Sequence, residues 1–178
     1  MKEKFLKEKI RSVPDFPKKG VMFRDITTLL QDAQAFRTVI DEFKEYYLKK
    51  GIAIDKVASA ESRGFIFGAV LAHELNAGFV PVRKPGKLPW KTIRQEFKTE
   101  YSTDAFELHT DAIKKGDRVL ITDDLLATGG TIKAIIKLVE KLGGRVAGIC
   151  CLVELSFLKG REKLKGYDIF SLVDYESE

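Results

Sequence analysis

The sequence predicts a doubly wound α/β domain with a mainly parallel sheet. Short β-branched and apolar runs at 56–60, 78–82, 119–121, 146–155 and 169–173 have the near-continuous apolar character of strands buried on both faces. Segments of helical period, 35–49, 65–75 and 132–142, alternate with them, and that alternation feeds parallel crossovers. Two of the strands also run through a polar turn into a helix, ESRG after residue 60 and DDLLATGGT after residue 122, which is where ligands bind in such sheets.

Taken in order, residues 2–13 are charged, with Phe5, Leu6 and Ile10 scattered along them, and predict a short amphipathic helix ended by Pro14. Pro14, Pro17 and Gly20 then impose an irregular course on 15–25, a stretch with too many breakers for a regular element. It nevertheless carries Phe16, Val21, Met22 and Phe23, which a pure surface loop does not need. The segment is expected to cover something, so residues 1–34 are read as a small N-terminal hood. Residues 35–49 place Phe36, Val39, Ile40, Phe43, Tyr46 and Tyr47 on a core-covering helix face that Gly51 ends. From 88 to 111 the period loosens: Trp90 and Phe97 sit among charges, and Phe106, Leu108 and His109 suggest the return strand of a hairpin. So long an excursion in a compact chain is expected to be a flexible loop that acts as a lid.

The 178 residues, 44% of them hydrophobic, fit one domain spanning 1–178 with a full core. Thirty-one Lys and Arg against 26 Asp and Glu give a net charge of +5, which suits small polyanions as well as it suits nucleic acid. Much of the surplus lies in the first 19 residues and in mixed-sign helices that read as solvated faces. Cys150 and Cys151 are neighbours in an apolar strand and point to opposite faces, so burial as small hydrophobes is expected rather than a disulfide. No charged leader followed by an apolar segment opens the sequence and no apolar run approaches membrane-spanning length, so a soluble cytoplasmic protein is expected. Neither His73, in an apolar helix, nor His109, on the hairpin, reads as catalytic; core or interface packing is expected of both.

The stretch 119–131 has a specific chemical competence. Backbone N–H groups of Ala127, Thr128, Gly129, Gly130 and Thr131 can converge on one point at the positive end of a helix, which fits a phosphate monoester. Asp123 and Asp124 are acceptors, suited to the two hydroxyls of a ribose or to a metal bridging ribose and polyphosphate. Alone, DD or TGG is an ordinary capped turn; the joint pattern is what points to a ligand. Other pieces are ambiguous on their own. ESRG alone is a capped helix start with a surface Arg, RKPGK is a solvated basic turn or a polyphosphate contact, and Phe23 is a hydrophobic plug or a ring that stacks on a flat base.

Residues 119–131 resemble the 5-phosphoribosyl-1-pyrophosphate (PRPP) motif of the type I phosphoribosyltransferases, and the leucines of DDLLATGGT are most similar to the adenine phosphoribosyltransferases. FPKKGVMFRDITTLL, ASAESRGFIFG, VRKPGKLP, EYSTDAFELH and LVELSFLKGREKL extend the likeness, in order, along nearly the whole chain. The resemblance implies the type I phosphoribosyltransferase fold and transfer of 5-phosphoribosyl from PRPP to adenine, giving AMP and pyrophosphate. It assigns Asp123, Asp124 and 127–131 to the ribose and its 5′-phosphate, and Glu61, Ser62, Arg63, Arg83, Lys84 and Lys87 to pyrophosphate, with a cis Glu61-Ser62 peptide. Many relatives carry Asp where Glu61 stands. Phe23 would lie against adenine, with backbone groups of Met22 and Arg24 reading its edge and Leu126 beside it; Leu158 or its neighbours could edge the same pocket, in a closing stretch, 157–164, otherwise read as structural. Glu100 would approach N7 of the purine and Tyr101 would help close the site, although a Glu in such a segment is ordinarily just exposed. Glu100 and Arg63 are thus the expected catalytic residues. The resemblance further implies Mg²⁺, bound mainly through PRPP and near Asp123 and Asp124, and a homodimer in which Arg83 could reach towards the partner's site.

Two other functions fit part of the pattern. A transferase for hypoxanthine, xanthine or orotate shares the phosphate motif but needs a different edge readout. A PRPP-sensing regulator that contacts nucleic acid usually needs an added DNA-binding domain or a clear basic face, whereas here the surplus charge is weak and Glu100 is present.

Overall fold

A computed structural model describes residues 2–98 and 103–177. The chain opens with helix α1 (Lys2–Lys9), shorter than the predicted segment, because beyond Ile10 the backbone becomes extended. There β1 (Arg11–Val13) pairs antiparallel with β2 (Phe23–Asp25), Arg11 opposite Asp25, and the Arg11 Nε lies 3.2 Å from the Asp25 carboxylate. The breaker-rich stretch is therefore the loop of a small two-stranded hood, and part of it is regular after all. Helices α2 (Thr27–Gln31) and α3 (Ala33–Lys49) follow, with the Asp32 carboxylate between them accepting from the Gln34 and Ala35 amides at 3.0 and 2.9 Å to start α3.

Next come β3 (Lys56–Ala60), α4 (Arg63–Glu74) and β4 (Gly78–Val82), then the hairpin β5 (Thr92–Lys98) and β6 (Thr103–His109). After it run β7 (Arg118–Leu126), α5 (Gly130–Lys141) and β8 (Arg145–Leu155), two 3-10 turns at Ser156–Leu158 and Gly160–Leu164, and β9 (Ile169–Tyr175). The main sheet has the order β4-β3-β7-β8-β9 and is parallel throughout.

Side chains alternate across this sheet and build two cores. Val57, Leu120 and Cys150 face helices α1 to α4, while Ala58, Ile121 and Cys151 face α5 and the hairpin. The two cysteines are thus fully buried on opposite faces, as expected. Helix α4 lies close on β3 because residue 68 is glycine: a Cβ there would stand 2.0 Å from the Ser59 hydroxyl. His109 is half-buried at the end of β6, but His73 is not in the core; it lies on the outer side of α4 with 87% of its side chain exposed. Among the described residues, no helix is long and apolar enough to cross a membrane.

From β3 the chain crosses through α4 to β4 on one side, and from β7 it crosses through α5 to β8 on the other. The two crossovers lie on opposite faces of the sheet, so a gap opens between the carboxyl ends of β3 and β7. That gap is the switch point of a doubly wound sheet.

Candidate active site

The gap holds a cleft of about 240 Å³ whose wall combines the starts of α4 and α5. Strand β7 runs further than predicted, through both acids to Leu126, because the long β8 keeps pairing with it as far as Leu126 opposite Glu154. Asp123 and Asp124 therefore sit in the last rungs of the strand's ladder, only 7% and 6% exposed, and both line the cleft. Asp123 Oδ1 accepts the Asp124 amide at 2.9 Å, and Arg63 Nε lies 2.9 Å from Asp124 Oδ2. Residue 64 must be small for this approach: a Cβ on Gly64 would lie 2.8 Å from Asp123 Oδ1. Burial pushes the Asp123 carboxyl well above the usual carboxylate range and the Asp124 charge adds to it. Burial raises Asp124 as well, against the opposing charge of Arg63.

After Leu126 the loop turns through Gly129, whose φ of +77° is a conformation that disfavours any side chain, into α5 at Gly130. Ala127, Thr128, Gly129 and Thr131 line the cleft, whereas Gly130 faces a separate 480 Å³ seam between the hairpin and α5. The loop, the acid pair and the first turn of α4 line one cleft.

On the opposite wall the Glu61-Ser62 peptide is cis, as the resemblance implied. Glu61, Ser62 and Arg63 line the cleft. The Glu61 carboxylate accepts from Arg83 Nη2 at 3.2 Å and from the Lys84 amide. Burial raises this carboxyl, but those donors and the charge of Arg83 outweigh it and leave Glu61 below its ordinary value. Arg83, Lys84 and Lys87 flank the cleft rather than line it. Backbone groups of Arg83 and Glu107 exchange hydrogen bonds at 3.1 and 2.7 Å, and Lys84 Nζ lies 3.2 Å from Asp104, so the basic turn is tied to the hairpin.

Phe23 is half-buried in the hood, edge-on to Phe16 with centroids 5.0 Å apart, and the Arg63 guanidinium lies 5.4 Å from its ring centre. Arg63 thus links the hood ring to the acid pair. Met22 and Arg24 are half-buried beside it, and the Arg24 side chain stacks on Tyr175 at 3.8 Å, so only its backbone is turned to other uses. The placement of Leu126 needs correction. Alternation continued from Ile121 would put Leu126 on the hood side, but the alternation breaks at the acids. Leu126 is instead 1% exposed in the core beneath α5, and Leu125 lines the cleft. Phe106, from the hairpin, is a cleft residue that sequence reasoning missed, because its hydrophobic character read only as a strand signal. Leu158 is half-buried in the first 3-10 turn. Glu100 and Tyr101 lie outside the described residues.

A parallel sheet whose switch point carries two buried acids, a glycine-containing loop at a helix start and a second polar turn has the architecture of a phosphoribosyl-transfer domain. The Phosphoribosyl transferase domain family matches residues 25–175. A protein of Acetivibrio thermocellus named adenine phosphoribosyltransferase is 61% identical over 96% of this chain and 99% of its own. Adenine phosphoribosyltransferase from Thermoanaerobacter pseudethanolicus superposes with a TM-score of 0.93 at 55% identity, covering 97% of this chain and 99% of that one. The Saccharomyces cerevisiae adenine phosphoribosyltransferase, solved with an imino-altritol bisphosphate and adenine, gives 0.92 at 39% identity over 96% and 98%. This chain belongs to the adenine phosphoribosyltransferase family.

Proposed function

We propose that this chain transfers the 5-phosphoribosyl group of PRPP to N9 of adenine, forming AMP and releasing pyrophosphate. The observation that carries the reading is the meeting of the buried acid pair with the 127–131 loop in one cleft, in a chain so similar to proteins that bear this activity in their names. Amides of 127–131 hold the 5′-phosphate, and Asp123 and Asp124 accept from the ribose hydroxyls. The bond from C1 to the diphosphate oxygen breaks as that from C1 to N9 forms, so positive charge builds on the sugar and negative charge on the leaving group. Arg63, Arg83 and Lys87 stabilise the departing diphosphate, with Ser62, Glu61 and Lys84 shaping its loop. Phe23 supports the adenine ring while backbone groups of Met22 and Arg24 read its edge. Glu100 takes the N7 proton as N9 attacks, and Tyr101 closes over the site.

Among the described residues no group of three or more His, Cys, Asp or Glu could hold a metal ion. Two carboxylates, one already paired with Arg63, fit a cation delivered on the substrate rather than a resident one. Bound through PRPP, Mg²⁺ supplies neutralisation of the diphosphate. The test is AMP formation from adenine and PRPP, run beside guanine and hypoxanthine and with EDTA. Adenine should be the preferred base, and EDTA should abolish turnover while leaving the thermal midpoint of the ligand-free chain unchanged; a preference for another base sinks the assignment.

The cytoplasm is the compartment that two buried free thiols suit. A homodimer is favoured by Ile66 and Val70, one turn apart on α4 and 39% and 36% exposed, the latter bordering a groove against α3.

A further inference from the structure

Behind the 127–131 loop stands a group of residues that does not line the cleft. Gly160 opens the second 3-10 turn and lies directly against the back of the loop. A Cβ on Gly160 would stand 2.0 Å from the Ala127 carbonyl oxygen and 3.0 Å from the Gly129 nitrogen, and one on Gly129 would stand 2.7 Å from the Gly160 carbonyl oxygen. Two backbones meet there with no side chain between them.

The next residue anchors the turn. Arg161 donates from Nε to Glu154 Oε1 at 2.8 Å, from Nη1 to the Ile169 carbonyl at 3.0 Å, and from Nη2 to Ser171 Oγ at 3.2 Å and to Glu154 Oε2. Ser171 in turn donates to Glu154 Oε2 at 2.6 Å. Glu154 is 5% exposed and lies beside Leu126, the last strand residue before the loop. Burial pushes its carboxyl up, but the hydrogen bonds from Arg161 and Ser171 together outweigh burial and keep it below its ordinary value. A carboxylate gripped by both arms of a guanidinium fixes geometry in two directions, which a single contact cannot do.

The loop itself has little rigidity of its own, with two consecutive glycines and no side-chain cap on α5. Its amides must nonetheless converge on one point, and an error of about 1 Å in such a placement can cost on the order of a hundredfold in rate. We infer that Arg161, through its fork on Glu154 and Ser171, is a positioning residue for the loop: it fixes Gly160 as the backstop that sets where the amides of 127–131 stand. The inference deepens the reading of that loop as the phosphate grip and rests on it.

Three variants test it. Arg161→Lys keeps the charge and loses the fork; Gly160→Ala leaves the ion pair intact and adds a methyl against Ala127; Ser171→Ala removes one partner only. For the first two, KM for PRPP should rise on the order of ten- to a hundredfold, more than kcat falls, with KM for adenine within about twofold of wild type. Ser171→Ala should shift the same constant less. In the ligand-free chain, deuterium exchange of the 127–131 amides should quicken in Arg161→Lys and Gly160→Ala while the two cores keep their protection. Variants with wild-type KM for PRPP and wild-type exchange in the loop overturn the inference, and so does faster exchange spread evenly through both cores. A wild-type chain that makes no AMP sinks the proposed function instead, and the exchange comparison then decides the positioning role alone.

Discussion

At the scale of single residues, the site is arranged to keep charge where chemistry needs it. Asp123 and Asp124 are buried beside each other and one cation, so the pair resists double ionisation until a ligand supplies hydroxyl donors or positive charge. Glu100, read from the sequence alone, would in the proposed reaction have to exchange a proton within a closed site. Its substitution by Gln should therefore lower kcat by about 10²-fold or more while PRPP affinity changes little. Equal losses in turnover and PRPP binding, measured by steady-state kinetics and titration calorimetry, would count against the acid-base role. The residues legible in the sequence were those whose chemistry and spacing act together, the DD and ATGGT of one motif. Leu126 was read beside adenine from the family resemblance, but the alternation of β7 breaks at the acids and turns Leu126 into the core and Leu125 to the cleft. Gly160 and Arg161 gave no signal of their role, since closeness between 3-10 turn and loop is a tertiary fact.

At the scale of elements, long periodic segments were readable and short ones were not. Helices α3 and α5 carry enough turns for their apolar faces to repeat, and strands β3, β4, β8 and β9 are apolar runs bounded by turns. Strands β1 and β2 have three residues each, too few for any period, and are fixed by pairing across a loop of breakers. The seat of α4 on β3 depends on Gly68, where an added methyl meets the Ser59 hydroxyl and Cβ and the Phe79 ring. Gly68→Ala should destabilise the chain by about 1–3 kcal/mol, read as a lower urea midpoint. Ser59 Oγ is buried and makes no hydrogen bond among the described residues, so adding Ser59→Ala should recover part of the loss. A Gly68→Ala chain as stable as wild type would show that α4 can shift freely.

At the scale of the whole molecule, the two crossovers from β3 and β7 open the cleft between their carboxyl ends, and Phe106 of the hairpin lines it. If the α4 face with Ile66 and Val70 closes a homodimer, sedimentation should give twice the chain mass of 20.1 kDa, and Val70→Glu should shift the protein towards monomer. A wild-type chain sedimenting as a monomer at micromolar concentration removes that proposal. Association could not have been read from periodicity, because an apolar helix position looks the same whether it faces a core or a second copy.

The Glu61 carboxylate accepts from Arg83 and from the Lys84 amide. If this wall captures a diphosphate as proposed, the capture is a substitution, in which an incoming anion displaces one that the protein carries itself. With Glu61 in place part of the positive charge on this wall is already matched, so stray phosphate and chloride from solution would meet a competitor there.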